Sequence, residues 1–158
     1  MDRRHDMEVS QRAIRPPVLL LGLILLGWGL DWLWPLPFMP SDWPNDWIGV
    51  LVFLLGFAIV GAAFWQFRRA GTNIETYKPT HTIVDTGLYA LSRNPIYLAA
   101  VFPFAGLAIA LDTLWIALAA VPFYAIIRVY VVAKEEAYLE HKFGDLYRAY
   151  KARVRRWL

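Results

Sequence analysis

The chain has 158 residues, of which 58% are hydrophobic, a net charge of +3 and no cysteine. Because the hydrophobic share exceeds the roughly 45–50% of soluble domains and gathers in long runs, the composition excludes a soluble enzyme. It indicates one compact membrane domain over residues 1–158. The lack of cysteine excludes disulfides and thiolate catalysis. Histidines at positions 5, 81 and 141 lack the spacing of metal ligands, so we predict no metal site.

Four apolar runs predict an all-α integral membrane fold with about four transmembrane helices. The predicted spans are residues 18–34, 47–67, 95–111 and 114–132. At about 1.5 Å per residue the first would extend roughly 26 Å, close to the thickness of the hydrocarbon core. It ends in WLWP without a small-residue cleavage site, so we predict a retained span and not a signal peptide.

The third and fourth spans are predicted to form an antiparallel pair, because only Asp112 and Thr113 separate them. Pro103 and Pro122 predict kinks. Small residues that would allow close helix packing, without a direct functional role, are Gly56, Gly61, Ala62 and Gly106.

Charge predicts the orientation. Lysine and arginine precede the first span, lie between the second and third, and follow the fourth, whereas the other side carries acids alone, at Asp42, Asp46 and Asp112. By the positive-inside rule, residues 1–17, the middle loop and residues 133–158 are cytoplasmic, and we expect a bacterial inner membrane protein. The basic residues flank spans, so membrane lipids, not nucleic acid, are the predicted partner. The sequence leaves the oligomeric state open.

The segment after the fourth span is polar, with aromatic residues at helical spacing and a break at Gly144. This pattern predicts a cytosolic helical cap that lies on the membrane surface or folds over the ends of the spans.

Two blocks are predicted to meet on the cytosolic surface: TGLYALSRNPIYL, residues 86–98, and the adjacent Glu135 and Glu136. Asn94 followed by Pro95 is typical of a helix start. One of the two carboxylates would face the bundle and need a cation, either Arg93, Arg128 or the ammonium of a ligand. A solvated helix end is the alternative.

The ordered set GLYALSRNPIYL, an apolar hairpin and EEAYLEHKFGDLYRAYKARVRRW, within residues 71–158, resembles the isoprenylcysteine carboxyl methyltransferase and phospholipid methyltransferase superfamily. The resemblance implies S-adenosylmethionine as methyl donor, with S-adenosylhomocysteine as product. It also implies a lipophilic or membrane-embedded acceptor bearing a carboxylate, amine or thiol. The implied cofactor contacts are His81, Thr82, Ile83, Val84, Tyr89, Asn94, Pro95, Ile96, Tyr97 and Glu135.

The chemistry of the cofactor fits this assignment. Tyr89, Tyr97 and Ile83 suit an adenine wall, His81 suits the carboxylate end, and Glu135 suits the ammonium. Methyl transfer from a sulfonium can depend on positioning and desolvation, so no base is required.

The chain departs from the family pattern at two positions. Asn94 stands where the family carries histidine, and Val131 stands where the prenylcysteine enzymes carry a substrate-binding arginine. We assign no catalytic residue; the candidates are Glu136 as proton acceptor and Arg128 as a substitute for the missing arginine. Arg93 and Arg128 are predicted to face substrate or lipid.

Two other functions stay open from the sequence. The chain could be a non-catalytic accessory membrane protein that keeps the fold, or a membrane reductase that uses a nicotinamide cofactor. No GxGxxG motif supports the reductase.

Overall fold

The computed structural model describes residues 15–71 and 82–158, and every regular element in these two ranges is helical. This confirms the predicted fold class. The elements are α1 (Pro16–Leu33), α2 (Asn45–Arg69), α3 (Leu88–Leu91), α4 (Pro95–Ala99), α5 (Val101–Ala110), α6 (Leu114–Ile126), a π segment (Ile127–Val132), α7 (Ala133–Phe143) and α8 (Asp145–Arg153).

Three helices are long and apolar enough to cross a membrane: α1, α2 and the continuous rod Leu114–Phe143, which consists of α6, the π segment and α7. A shorter apolar helix, Pro95–Ala110, contains α4 and α5. The rod would extend roughly 45 Å, more than the hydrocarbon core. The predicted fourth span stops at residue 132, but the helix continues to Phe143. Because α7 is rich in charged residues, we expect it to lie beyond the hydrocarbon.

The third span is broken at Ala100, which separates α4 from α5. Pro103 lies three residues later, and its missing N–H and its ring disrupt helical bonding to the preceding turn. The N–H of Ala100 instead bonds to the carbonyl of Tyr97 at 3.1 Å. The kink predicted from Pro103 therefore occurs at the start of the span, next to residues 86–98.

Helices α2 and α5 pack with their backbones close together, and glycines make this contact possible. A methyl group on Gly106 would lie 2.6 Å from the backbone nitrogen of Phe53 and 2.7 Å from the carbonyl oxygen of Gly49. The predicted packing roles of Gly56 and Gly106 are confirmed. Gly61 and Ala62 are exposed, with open space around Gly61, so they do not pack within the described part of the chain. The helix turns its other face, with Ala63, inward.

Helix α1 packs on α6, where Gly27 approaches the backbone of Ile116. The main core lies along the rod and α5, and it includes the fully buried side chains of Phe104, Ile116, Phe123, Ile127 and Val132. The core therefore runs from the α5–α6 turn to the π segment. It fixes the end of the rod from which α7 projects.

At the α5–α6 turn, Asp112 adopts a left-handed backbone with φ of 47°. Its carboxylate accepts hydrogen bonds from the N–H groups of Phe38 and Met39 at 2.9 and 2.8 Å. The indole of Trp115 donates to the carbonyl of Trp34 at 2.7 Å. The loop between α1 and α2 is thereby tied to the predicted tight turn, at the end of the bundle opposite Glu135 and Glu136.

We expect Gly106→Ala to lower the free energy of unfolding by about 1–3 kcal/mol, because the new methyl group forces α2 and α5 apart. Gly61→Ala is the matched control, and it should be neutral or stabilising by up to about 1 kcal/mol, since alanine is the better helix former. Thermal unfolding of the two variants in detergent measures the difference. Equal stability of the two would contradict the close contact at Gly106.

Candidate functional site

The start of the block at residues 86–98 is anchored to the end of α2. Gly87 has φ of 59°, a conformation that favours glycine, and the side chain of Gln66 fills the space where a Cβ would lie. The amide oxygen of Gln66 accepts a hydrogen bond from the N–H of Leu88 at 3.2 Å. The ring of Phe67 meets that of Tyr89 edge to face at 4.8 Å. The segment Gly87–Tyr89 is therefore a tight turn held by α2.

The last residues of the chain hold the middle of the block. We call residues 154–157 the C-terminal strap. The N–H of Arg93 donates to the carbonyl of Arg155 at 3.0 Å, and the carbonyl of Arg156 accepts from Ser92 Oγ at 3.2 Å and Asn94 Nδ2 at 3.0 Å. The strap thus fixes the loop that begins α4.

Asn94 occupies the position before α4, as predicted, but it does not cap the helix with its side chain. Its amide is buried and donates to the strap. The N–H of Asn94 bonds instead to Ser92 Oγ at 3.1 Å. The predicted helix start is therefore present, but the Asn94 side chain bonds to a carbonyl of the strap and the Ser92 hydroxyl accepts the local N–H.

An ion-pair cluster joins the strap and the loop before α4 to α7. The guanidinium of Arg93 donates to Glu136 Oε1 at 2.7 Å, and that of Arg156 donates to Glu136 Oε2 at 2.6 Å. The side chains of Arg93 and Glu136 are each 8% exposed. Arg93 also donates to the carbonyls of Lys151 and Val154 at 3.0 and 2.9 Å. We call Arg93, Glu136 and Arg156 the Glu136 cluster.

This geometry corrects one prediction. Arg93 was expected to face substrate or lipid, but its guanidinium is buried and committed to Glu136 and two carbonyls. The requirement for a cationic partner is confirmed for Glu136, with Arg93 as one of the residues that supply it. The driving force is desolvation, since a carboxylate at this depth is stable only when paired.

Glu136 is a poor proton acceptor in this setting. Although burial alone raises it, the hydrogen bonds from Arg156 and Arg93 hold the pKa of Glu136 below its ordinary value. Both carboxylate oxygens already accept guanidinium hydrogens. The arrangement favours a structural role over the catalytic role for which Glu136 was a candidate.

Glu135 has a different environment, although it is the adjacent residue. Its carboxylate is half-buried and accepts a hydrogen bond from the hydroxyl of Tyr97 at 2.8 Å. Within residues 15–71 and 82–158 no lysine or arginine forms an ion pair with it. Burial raises the pKa of Glu135 to about 7 against the opposing Tyr97 hydrogen bond, and the charge of Glu136 adds to the rise. This side chain can accept a cation.

The residues predicted for the aromatic and apolar wall belong to two separate clusters. Tyr89 is 6% exposed and packs with Val84 and Ile96 in one cluster, while Ile83 packs with the aromatic residues of α8. The hydroxyl of Tyr150 donates to the carbonyl of Tyr89 at 2.7 Å.

The remaining residues that the resemblance implies as cofactor contacts differ in how far they are buried. Pro95 is buried at the start of α4, and Thr82 is exposed. His81 lies outside the described residues. The assignment of these residues to a cofactor stays a prediction.

Arg128 lies in the π segment, exposed, on the wall of an open cleft of about 440 Å³. Leu98 and Tyr124 line the same cleft. Val131, in contrast, is 6% exposed and packs in the main core. A side chain at position 131 therefore faces the core of this chain, and Arg128 is the cationic side chain that reaches the cleft.

Sequence reasoning missed Gln66, Tyr124, Arg156 and Trp157. The hydroxyl of Tyr124 donates to the carbonyl of Tyr97 at 2.9 Å and lies 3.1 Å from that of Leu98, and its ring contacts Trp157. No local sequence pattern predicts these contacts, because each joins residues distant in the chain. The available signal was the tail itself, where bases and a tryptophan follow the last helix.

We expect Glu136→Gln to destabilise the protein by about 3–5 kcal/mol, because it leaves the buried guanidinium of Arg93 without a countercharge. Glu140→Gln, on the same helix, is the control. It removes only a partly exposed pair with Lys151 at 3.0 Å and should cost at most about 1 kcal/mol. Unfolding of both variants in detergent provides the measurement, and similar losses would remove the Glu136 cluster from its structural role.

Comparison with known proteins assigns the chain to a family. The model of the phospholipid methyltransferase family, part of the isoprenylcysteine carboxyl methyltransferase-like group, matches residues 45–146. The chain is also 49% identical over 51 residues, 29% of its length, to an uncharacterized protein of Haemophilus influenzae, of which the match covers 81%. No solved structure matches. The matched range contains α2, the block at residues 86–98 and both glutamates, and the chain therefore belongs to the phospholipid methyltransferase family.

Proposed function

We propose that the protein transfers a methyl group from S-adenosylmethionine to a lipophilic acceptor in the membrane. The family implies methyl transfer in general. The observation that supports this cofactor is Glu135, a half-buried carboxylate bonded to Tyr97 and without a cation among the described residues. Such a carboxylate suits the ammonium group of S-adenosylmethionine.

Other residues predicted for the site would suit the rest of the cofactor. Tyr97 and the buried Tyr89 supply aromatic surface, and Ile83 and Ile96 supply apolar surface, as an adenine ring requires. The block at residues 86–98 is held at its start by Gln66 and in its middle by the strap. Preorganised walls of this kind reduce the entropy lost on binding.

The bound cofactor would supply a methyl group already activated by a sulfonium. The protein's own residues would then bind, orient and exclude water, and none has to remove a proton from a carboxylate acceptor. Glu136 is occupied by two arginines, which agrees with a site that works by positioning. For an amine acceptor the residue that takes the proton is not assigned.

We propose a bacterial inner membrane location with both termini in the cytoplasm. Support comes from the basic residues that flank the ends of the spans on one side and the acids at the α5–α6 turn and the α1–α2 loop on the other. In this orientation Glu135, the Glu136 cluster and the strap face the cytoplasm, where S-adenosylmethionine would be encountered.

We expect the purified protein to bind S-adenosylmethionine and S-adenosylhomocysteine, and not NADPH, in calorimetric titrations. Glu135→Gln should weaken binding of both by at least tenfold, because it removes the charge that pairs with the ammonium. Glu140→Gln on the same helix is the control and should bind as the parent does. The absence of binding to either methionine derivative would favour the accessory-protein alternative, and NADPH binding would favour the reductase.

The affinity for S-adenosylhomocysteine should increase as the pH rises from about 5.5 to 7.5. Over this window the Glu135 carboxyl, whose pKa is about 7, loses its proton and gains the charge that attracts an ammonium. The ligand's own amino group stays protonated until about pH 8. Titrations at several pH values should show this rise in the parent and a flat profile in Glu135→Gln. A parallel rise in the variant would assign the pH dependence to another group.

A further inference from the structure

The C-terminal strap runs alongside the loop that begins α4. Three successive carbonyls of the strap, at residues 154–156, accept hydrogen bonds from residues 92–94 at distances between 2.9 and 3.2 Å. The strap follows α8 and is not itself helical. Its backbone is therefore held by contacts with the loop and not by a helix of its own.

Arg156 is the strap residue that contacts both the start of α4 and α7. Its backbone carbonyl accepts from Nδ2 of Asn94, the residue immediately before α4. Its guanidinium donates from Nε to Glu136 Oε1 at 3.2 Å and from Nη2 to Glu136 Oε2 at 2.6 Å, a fork that fixes direction as well as distance. A single residue near the end of the chain thus bridges two segments that lie 62 and 20 positions earlier.

The two segments that Arg156 bridges carry the Tyr97–Glu135 pair. Tyr97 follows Asn94 on α4, and Glu135 directly precedes Glu136 on α7. The hydroxyl of Tyr97 donates to the carboxylate of Glu135 at 2.8 Å. A displacement of the strap would therefore act on both partners of this hydrogen bond, since one belongs to α4 and the other to α7.

Trp157 provides a second connection from the strap to Tyr97. Its ring packs against the main core and meets the ring of Tyr124 edge to face, with the ring centres 6.0 Å apart. The hydroxyl of Tyr124 donates to the carbonyl of Tyr97 at 2.9 Å. The strap is thus linked to the backbone of Tyr97 through Tyr124, and to the helix of its side-chain partner through Glu136.

We propose that Arg156 is a positioning residue of the cofactor site, and that docking of the strap is linked to binding of the cofactor. The inference rests on the proposed function. Docking of the strap aligns Tyr97 with Glu135, and the cofactor binds the aligned pair more tightly. By thermodynamic reciprocity, a bound cofactor favours the docked strap to the same extent. Arg156 acts through Asn94 and Glu136 and does not contact the ligand.

Two spin labels can report the position of the strap, because the chain has no cysteine that must first be removed. Leu146→Cys on α8 and Leu158→Cys beside the strap place the labels at side chains that are each 71% exposed. Double electron–electron resonance on the full-length protein in detergent measures the distribution of distances between the labels. We expect a narrow distribution in the labelled parent and a broad one when Arg156→Gln is added.

Titration of the same labelled samples with S-adenosylhomocysteine tests the linkage. We expect Arg156→Gln to weaken binding about tenfold, and saturating ligand to narrow its distance distribution toward that of the parent. Arg155→Gln is the matched control, because this neighbouring side chain is exposed and forms no ion pair within residues 15–71 and 82–158. It should bind as the parent does and keep the narrow distribution. Arg156→Lys keeps the charge but not the fork, so it should weaken binding about threefold, and it serves as the test if Arg156→Gln does not fold.

The outcomes separate this inference from the proposed function. If the parent binds S-adenosylhomocysteine and the Arg156 variant binds it equally well, or if the Arg155 variant loses as much affinity, this inference is overturned alone. Weaker binding with an unchanged distance distribution also overturns it, since Arg156 would then contact the ligand directly. A broad distribution that saturating ligand leaves broad overturns the linkage. If the parent does not bind the ligand, the proposed function and this inference fall together.

Discussion

The buried carboxylate of Glu136 is the interaction on which the site end of the molecule depends. It joins α7 to the loop before α4 through Arg93 and to the C-terminal strap through Arg156. Arg93 adds hydrogen bonds to two carbonyls near the end of α8. A charge buried this deeply is stable only when both partners are in place, so the three segments are positioned together or not at all.

The two adjacent glutamates illustrate how one helix can supply both structure and chemistry. Neighbouring positions on a helix point in directions about 100° apart, so Glu136 reaches Arg93 and the strap while Glu135 reaches Tyr97. Glu136 takes both guanidinium groups, and Glu135 is left with a tyrosine hydroxyl. The unequal sharing of cations keeps the pKa of one carboxyl low and raises that of the other.

Much of the fold could be predicted from the sequence, because long apolar runs and the glycine and proline residues that end or kink helices are local signals. The apolar runs indicated the spans, Gly144 marked the end of α7 with φ of 54°, and Pro103 marked a kink. The π segment could not be predicted, because apolar residues continue through it without a change of pattern. It changes the angular register between α6 and α7, and so decides which way the glutamates point.

The contacts within the site were less predictable, because they join residues distant in the chain. Adjacent acids at a helix end signalled a need for a cation, but the sequence offered Arg93, Arg128 or a ligand equally. The structure divides these roles: Arg93 serves Glu136, and Arg128 faces the cleft. The basic tail was interpreted as a lipid contact, whereas Arg156 turns inward to a carboxylate.

Tyr97 is the residue at which structure and proposed function converge. Its side chain and its backbone carbonyl make separate polar contacts, to Glu135 and to Tyr124, and the second lies at the break before α5. At this break the carbonyl of Tyr97 accepts both the N–H of Ala100, at 3.1 Å, and the hydroxyl of Tyr124, so it links the third span to the rod. Since methyl transfer from a sulfonium depends chiefly on the relative position of donor and acceptor, a residue held by hydrogen bonds through both its side chain and its backbone suits a site that works by positioning. The other polar contacts at this end of the molecule have the same character, because Glu136 and the strap fix the loop before α4 and neither Glu136 oxygen is left free to accept a proton.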